Sequence, residues 1–285
     1  MSTPRVWFIT GTSSGFGRLT TEKVLSHGDI VVATARKPEA LDDLKSQYPS
    51  SKLLVLPLDV TDYQQIKDAF SKAKDAFGRI DIVFNNAGRG LVGEVEGIPE
   101  EEARALFDTN FWGAMNVSRE AVRFFREENK PAGGRLLVNS SRVGIQAMPL
   151  IGFYSATKHA LEGITKALAQ ELDPAWNIKV TLVQPGFFRT AVETKSVLCP
   201  IHPAYSDPAL PGNLIRASIK SDRPFGSDTV EGVKRIYDVA GLPEPPLRLP
   251  IGLDSIEAIR AELASVKADT GRHEHWSEGL VYIDV

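Results

Sequence analysis

Tyr154 and Lys158 stand four residues apart in a stretch, 155–172, whose spacing reads as a helix, so the two side chains share one helix face. A free phenol titrates near ~10 and is a poor base at neutral pH. An adjacent ammonium favours the phenolate and brings proton transfer closer to working pH. Alone the pair means little, because tyrosine beside lysine on a helix surface is commonplace. Its value comes from Ser141, thirteen residues upstream and just past a strand-like run, where the carboxyl end of a strand delivers side chains to a crevice. Adjacent strand side chains point to opposite faces, so Ser141 and Ser140 cannot both face a substrate. Alternation alone does not say which of the two does.

A second group, Thr10-Gly11-Thr12-Ser13-Ser14-Gly15-Phe16-Gly17, opens a helix that ends near His27-Gly28. Glycines there let the backbone turn tightly and approach a pyrophosphate, whose charge sits at the helix N-terminus. A glycine-rich turn without a ligand is the bland alternative; its place between the first strand and first helix favours a dinucleotide. The second strand ends Thr34-Ala35-Arg36-Lys37. The acid that typically holds the ribose hydroxyls there is missing, and Arg36 can bind a 2′-phosphate through paired hydrogen bonds. NADP(H) is therefore the expected cofactor, with Arg36 and Lys37 at the phosphate rather than merely solvating a loop.

The elements that must position these groups are legible as six near-continuous apolar runs at 6–10, 30–35, 53–58, 80–85, 135–140 and 179–184, the mark of parallel strands buried on both faces. Helical spacing lies between them. Thr61 can cap a helix to about Phe77 that Gly78 stops, and Pro99 opens a helix to about Arg126. Short helices are expected at 227–239 and 254–266, with a last strand within 247–252. The fold class is α/β: one doubly wound, Rossmann-type domain over 1–285, its mostly parallel sheet of about seven strands carrying helices on both faces. Residues 186–225 show no clear strand and suggest a substrate lid; 226–285 form a C-terminal extension.

Over roughly residues 5–190 the chain resembles the short-chain dehydrogenase/reductase family. The residues that carry it are Thr10-Gly11-x3-Gly15-x-Gly17, Asp59, Asn85-Asn86-Ala87-Gly88, Asn110, Ser140-Ser141, Tyr154-x3-Lys158 and Pro185-Gly186-x3-Thr190. The resemblance implies that Asp59 lies at the adenine, with Val60 packing the ring. Asn86, Ala87 and Gly88 would support the cofactor-side backbone. Asn110 would bend its helix and hold a water that relays protons to Lys158. Ser141, which carries the family spacing to the tyrosine, would hydrogen-bond the substrate oxygen, leaving the Ser140 hydroxyl to local backbone, and Tyr154 would donate or remove its proton. Lys158 would bind the nicotinamide ribose and depress the tyrosine pKa. Pro185, Gly186 and Thr190 would hold the nicotinamide ring. The implied reaction is hydride transfer between NADP(H) and a carbonyl or alcohol, with reduction preferred because NADPH pools commonly drive it.

Loops at the strand ends contribute Leu91, Val92, Ile145, Met148, Leu150, Phe153, Phe187, Phe188, Val192, Val197, Leu198 and Tyr205, an apolar inventory suited to a hydrophobic ketone, aldehyde or secondary alcohol. The net charge of −3 gives no electrostatic reason to expect nucleic acid or an anionic membrane. With Cys199 the only cysteine, no internal disulfide can form; it reads as a small apolar filler. No signal peptide or membrane-length apolar run is evident, so a soluble cytoplasmic protein is expected. His273-Glu274-His275 supplies too few ligands for a metal, His159 reads as structural, and Arg142 stands open between substrate contact and an ion pair. A dimer through 100–126 and 154–172 and a monomer both remain open. Two rivals stand beside the reductase: a silent NADP(H)-binding sensor or scaffold, and an isomerase or epimerase on the same fold.

Overall fold

The computed structural model describes residues 3–190, 196–219 and 226–280. Strands β1 (Val6–Thr10), β2 (Ile30–Ala35), β3 (Leu53–Pro57) and β4 (Ile82–Asn85) are followed by a two-residue β5 (Leu91–Val92), then β6 (Gly134–Asn139), β7 (Ile178–Pro185), a two-residue β8 (Val197–Leu198) and β9 (Arg248–Ile251). Seven of them form one sheet in the order β3-β2-β1-β4-β6-β7-β9, parallel throughout. The helices are α1 (Gly15–Ser26), α2 (Asp42–Gln47), α3 (Tyr63–Phe77), α4 (Glu100–Phe107), α5 (Ala114–Glu127), α6 (Gly152–Glu171), α7 (Pro211–Ile219), α8 (Thr229–Val239) and α9 (Leu253–Arg272). The expected doubly wound α/β fold is what forms.

Strand alternation splits the core into two halves. Val6 and Phe8 of β1 join Ile66 and Phe70 of α3, Val117 and Phe124 of α5 and Leu161 of α6. Trp7 and Ile9 face the other way, onto Val24 of α1, Leu44 of α2 and Ile236 of α8. Because both faces of β1 are buried, every residue of the run must be apolar or hydrogen-bonded.

Several boundaries differ from expectation for local reasons. Asp62, not Thr61, caps α3, its carboxylate accepting from the amides of Gln64 and Gln65; the Thr61 hydroxyl donates to Asp59 instead. Gly78, at φ +75°, ends the helix as expected. The single helix expected from 99 to 126 is interrupted at Asp108–Gly113 by a π-helical turn. The 186–225 stretch, expected to hold no strand, contains β8, paired in parallel with β5 (Leu91 with Val197, Val92 with Leu198). Two residues are too few to leave a periodic trace. Val192 lies outside the described residues.

A buried ion pair reinforces that attachment. Arg216 of α7 reaches both carboxylate oxygens of Glu94, at 3.1 and 3.0 Å, and donates to the Cys199 carbonyl at 3.2 Å. Removing one partner strands the other charge in the interior, so Arg216→Met is expected to cost about 3 kcal/mol in urea unfolding. The double variant Glu94→Leu/Arg216→Met should regain most of that loss; a single variant as stable as the parent would contradict the latch. Among the described residues, no helix is long and apolar enough to cross a membrane.

Candidate active site

The sheet order reverses between β1 and β4, and their carboxyl ends open the crevice where such folds take ligands. Thr10 closes its floor: its hydroxyl accepts from the amides of Asn86 and Ala87, both at 2.9 Å. The Asn86 side chain donates back to the Thr10 carbonyl at 2.9 Å. Backbone lies directly on backbone here. A Cβ on Gly11, at φ +71°, would stand 2.9 Å from Ala87 Cα, and one on Gly17 only 2.3 Å from the Gly11 carbonyl oxygen. Ser14, the N-cap of α1, is extended and its hydroxyl makes no capping bond, so it leaves the first-turn amides to other acceptors. Beyond β2, Arg36 and Lys37 are exposed.

Glycine cradle and helix start together fit a dinucleotide. Asp59 is half-buried, one oxygen held by the amide and hydroxyl of Thr61. Two neighbours depart from expectation. Val60, expected to pack the adenine, is only 5% exposed and belongs to the core beside Ala114 and Val117; its Cγ2 points at Gly113. The Phe16 ring turns from the crevice to meet Phe188 edge-on at 5.1 Å, leaving the backbone of Phe16 to the turn. Ser13 is exposed.

Asn110 sits in the π-helical turn, buried. Its oxygen accepts from the Arg89 amide and its amide group donates to the Arg89 carbonyl, both at 2.9 Å. A π-helical turn stands where a bend is expected, and the side-chain amide is spent on fixing the chain after Gly88.

Ser141, Tyr154 and Lys158 are brought together across the serine turn and the start of α6. Ser141 Oγ donates to the Pro185 carbonyl at 3.4 Å and accepts from the Val143 amide at 3.3 Å, and its hydroxyl neighbours that of Tyr154. Lys158 Nζ donates to the Asn139 carbonyl at 2.7 Å and lies 5.7 Å from the Tyr154 ring centroid. Burial pushes the Tyr154 phenol up to about 12, only partly offset by the neighbouring Ser141 hydroxyl. Burial pushes Lys158 down to about 8, against the nearby charge of Glu162. Burial is the largest influence on both groups, and the Lys158 ammonium is directed at the Asn139 carbonyl.

Pro185 ends β7, and the Gly186 amide donates to the Ile251 carbonyl at 2.8 Å. A Cβ on Gly186 would strike the Asp254 carboxylate at 2.0 Å, which also accepts from the Phe187 amide at 2.8 Å. Thr190 crosses to the glycine turn, its Cβ 3.5 Å from the position of a Gly15 Cβ. Sequence reasoning missed Asp254, Thr10 as the floor, and Asn139, whose amide donates to Asn86 and whose carbonyl holds Lys158. Only tertiary contact reveals them.

Ser140 differs from expectation: its hydroxyl is buried with no hydrogen-bond partner. The ring nitrogens of His159 lie 2.9 and 3.0 Å from the carbonyl oxygens of Ser155 and Ile145. Cys199 is 5% exposed among Leu91, Ile98 and Leu106, and burial raises its thiol pKa. Arg142 lies 3.7 Å from Asp254 and covers the Phe187 ring at 4.4 Å. Of the apolar loop residues, Leu91, Leu150 and Phe188 are buried core; Val92, Ile145, Met148, Phe153, Phe187 and Val197 keep partial exposure. Leu198 and Tyr205 are exposed. Among the described residues, no three of His, Cys, Asp and Glu gather as a metal site.

A family model described as short chain dehydrogenase matches residues 5–198. An uncharacterized oxidoreductase of Schizosaccharomyces pombe is 38% identical over 263 residues, covering 89% of this chain and 84% of that protein. A 3-ketodihydrosphingosine reductase of Bacteroides thetaiotaomicron is 38% identical over 187 residues, 66% of this chain and 65% of that one. The crystal structure of a short-chain dehydrogenase from Streptomyces avermitilis superposes with a TM-score of 0.86 at 33% identity, covering 99% of this chain and 100% of that one.

Proposed function

This chain belongs to the short-chain dehydrogenase family of oxidoreductases, whose fold binds a nicotinamide cofactor, and from that premise we propose that it is an NADP(H)-dependent reductase of hydrophobic ketones or aldehydes, able to oxidise the corresponding secondary alcohols. The observation that carries the reading is the meeting of Ser141, Tyr154 and Lys158 at the carboxyl end of the sheet, beside the glycine turn. Bound NADPH supplies the hydride. Ser141 holds the substrate oxygen and Tyr154 delivers its proton in reduction or takes it in oxidation. Lys158 binds the nicotinamide ribose and, as a cation, favours the phenolate. Asn110 fixes the Arg89 backbone and offers its carbonyl to the relay.

The turn from Gly11 through Ser13, Ser14, Gly15 and Phe16 to Gly17 carries the pyrophosphate on its backbone. Arg36 and Lys37 take the 2′-phosphate, and Asp59 lies at the adenine, with Val60 contributing backbone. Asn86, Ala87 and Gly88 hold the turn from below; Pro185, Gly186 and Thr190 hold the nicotinamide. Residues 186–225 act as the lid and 226–285 as the extension that braces it through Asp254. The Bacteroides relative is named for a keto substrate, in keeping with carbonyl reduction.

The test is loss of NADPH absorbance against a panel of hydrophobic ketones and aldehydes. Tight NADPH binding without turnover would favour the sensor, and substrate conversion without net cofactor consumption the isomerase. The pH dependence has a definite sign. Lys158 is charged below about 8 and neutral above it, so kcat/KM for reduction should fall as pH rises through that value. A rate that climbs steadily through this range would remove Lys158 from the proposed role.

A further inference from the structure

The face of the sheet that packs on α6 ends in a polar cluster that the proposed reaction does not use. Alternate residues of β6 and β7 (Leu136 and Val138; Ile178, Val180 and Leu182) share one core with Leu161 of α6. The same alternation carries on to Ser140 and Gln184, where that face ceases to be apolar. Opposite them α6 sets Glu162, one turn beyond Lys158 and on the same helix face. All four are buried: Glu162 is 1% exposed, Gln184 0%, Ser140 3% and Lys158 5%. Gln184 Nε2 donates to Glu162 Oε1 at 2.9 Å, while Glu162 Oε2, Gln184 Oε1 and Ser140 Oγ have no hydrogen-bond partner. Gly144 lets the serine turn press onto this point: a Cβ there would stand 2.9 Å from Ser140 Oγ, 3.0 Å from Glu162 Cγ and 3.1 Å from the Lys158 carbonyl oxygen.

A carboxylate buried this fully is expensive unless a positive charge answers it. The neighbouring elements offer few. Arg142 of the serine turn is directed at Asp254 and Met148. Arg89 is held by Glu102, Asp108 of the π-helical turn is exposed, and the His159 ring faces the carbonyls of Ser155 and Ile145. The residues of β6 and β7 that face α6 are apolar or neutral. Tyr154 and Glu162 are the titratable groups that share the face of Lys158.

We propose that Glu162, oriented by Gln184, is a positioning residue whose carboxylate is the counter-charge that keeps Lys158 an ammonium. The proposal rests on the reading of Lys158 as the cation that serves Tyr154. Burial alone drives Lys158 toward neutrality, and the charge of Glu162 opposes it. Glu162 therefore sets how far into alkaline pH the site keeps its cation, without touching substrate or cofactor.

The direct readout is a lysine ¹³Cε NMR titration of the full-length, cofactor-free protein, with the Lys158 resonance assigned as the one missing from Lys158→Arg. Glu162→Gln is expected to lower its midpoint by about one pH unit, the effect of withdrawing one close opposite charge. Glu162→Asp should restore most of the shift. A Glu162→Gln midpoint equal to that of the parent overturns the proposal. Should Glu162→Gln fail to fold, thermal melting of Lys158→Met against Lys158→Met/Glu162→Gln decides instead. With the lysine gone, the carboxylate is uncompensated, so the double variant should melt higher by several degrees. A double variant melting no higher than the single overturns it. Neither measurement needs turnover. A parent that oxidises NADPH yet shows no shift sinks this proposal alone, whereas a shift in an inactive parent sinks only the proposed reaction.

Discussion

Tyr154→Phe is expected to lower kcat by roughly 10³-fold, within the range by which a positioned proton donor speeds such reactions, while NADPH still binds. The substitution removes one oxygen and keeps the ring. Ser141 retains its bonds to the Pro185 carbonyl and the Val143 amide, so the turn that carries it should hold its shape. Lys158 keeps its bond to the Asn139 carbonyl, and the glycine turn is not touched. Folding should not suffer, because the variant no longer desolvates a hydroxyl. Single-turnover kinetics under saturating NADPH, read beside a fluorescence titration of cofactor binding, separate the two effects. A variant that keeps a tenth or more of the parental kcat would remove Tyr154 from proton transfer. Ser141→Ala should cost less, since the tyrosine would still address the substrate oxygen.

That prediction was open to a reader of the sequence, because a spacing of four within a helix survives translation into three dimensions. The strands were legible for a related reason: the β1 and β2 runs are buried on both faces, so nearly every residue reports its environment. What escaped depends on contacts between distant segments. Asn139 and Glu162 look like an ordinary strand-end amide and an ordinary helix carboxylate until β6, β7 and α6 meet. Asp254 lies far along the chain from Gly186, whose missing Cβ it needs. The two-residue pairing of β5 with β8 is too short for a period to register, and the π-helical turn at Asp108–Gly113 adds no residue type that would betray it. Phe16 and Val60 show a subtler limit. A motif says which backbone comes near the crevice, but the choice of face belongs to Phe188 and Gly113.

The largest change in cofactor preference should come from Arg36. Arg36 is exposed beyond β2, and no described carboxylate competes for its guanidinium. Charge-assisted hydrogen bonds to a phosphate contribute about 1.5–3 kcal/mol, and each 1.4 kcal/mol is tenfold. Arg36→Leu alone should therefore weaken kcat/KM for NADPH by roughly 10- to 100-fold and leave NADH nearly unchanged. Adding Ala35→Asp restores the acid that typically holds the ribose hydroxyls and sets a like charge against the 2′-phosphate, so the preference ratio should move further, by roughly 10³-fold in all. Ala35 is only 4% exposed and shares a core with Leu41. The double variant is judged with its melting temperature beside it, and Arg36→Leu, at an exposed position, carries the decision. If its ratio of NADPH to NADH activity matches that of the parent, the 2′-phosphate does not lie at Arg36. Lys37→Ala provides the gradation: as a flexible point charge without a planar fork, it should shift the ratio less than Arg36→Leu and lose its effect sooner as salt is added.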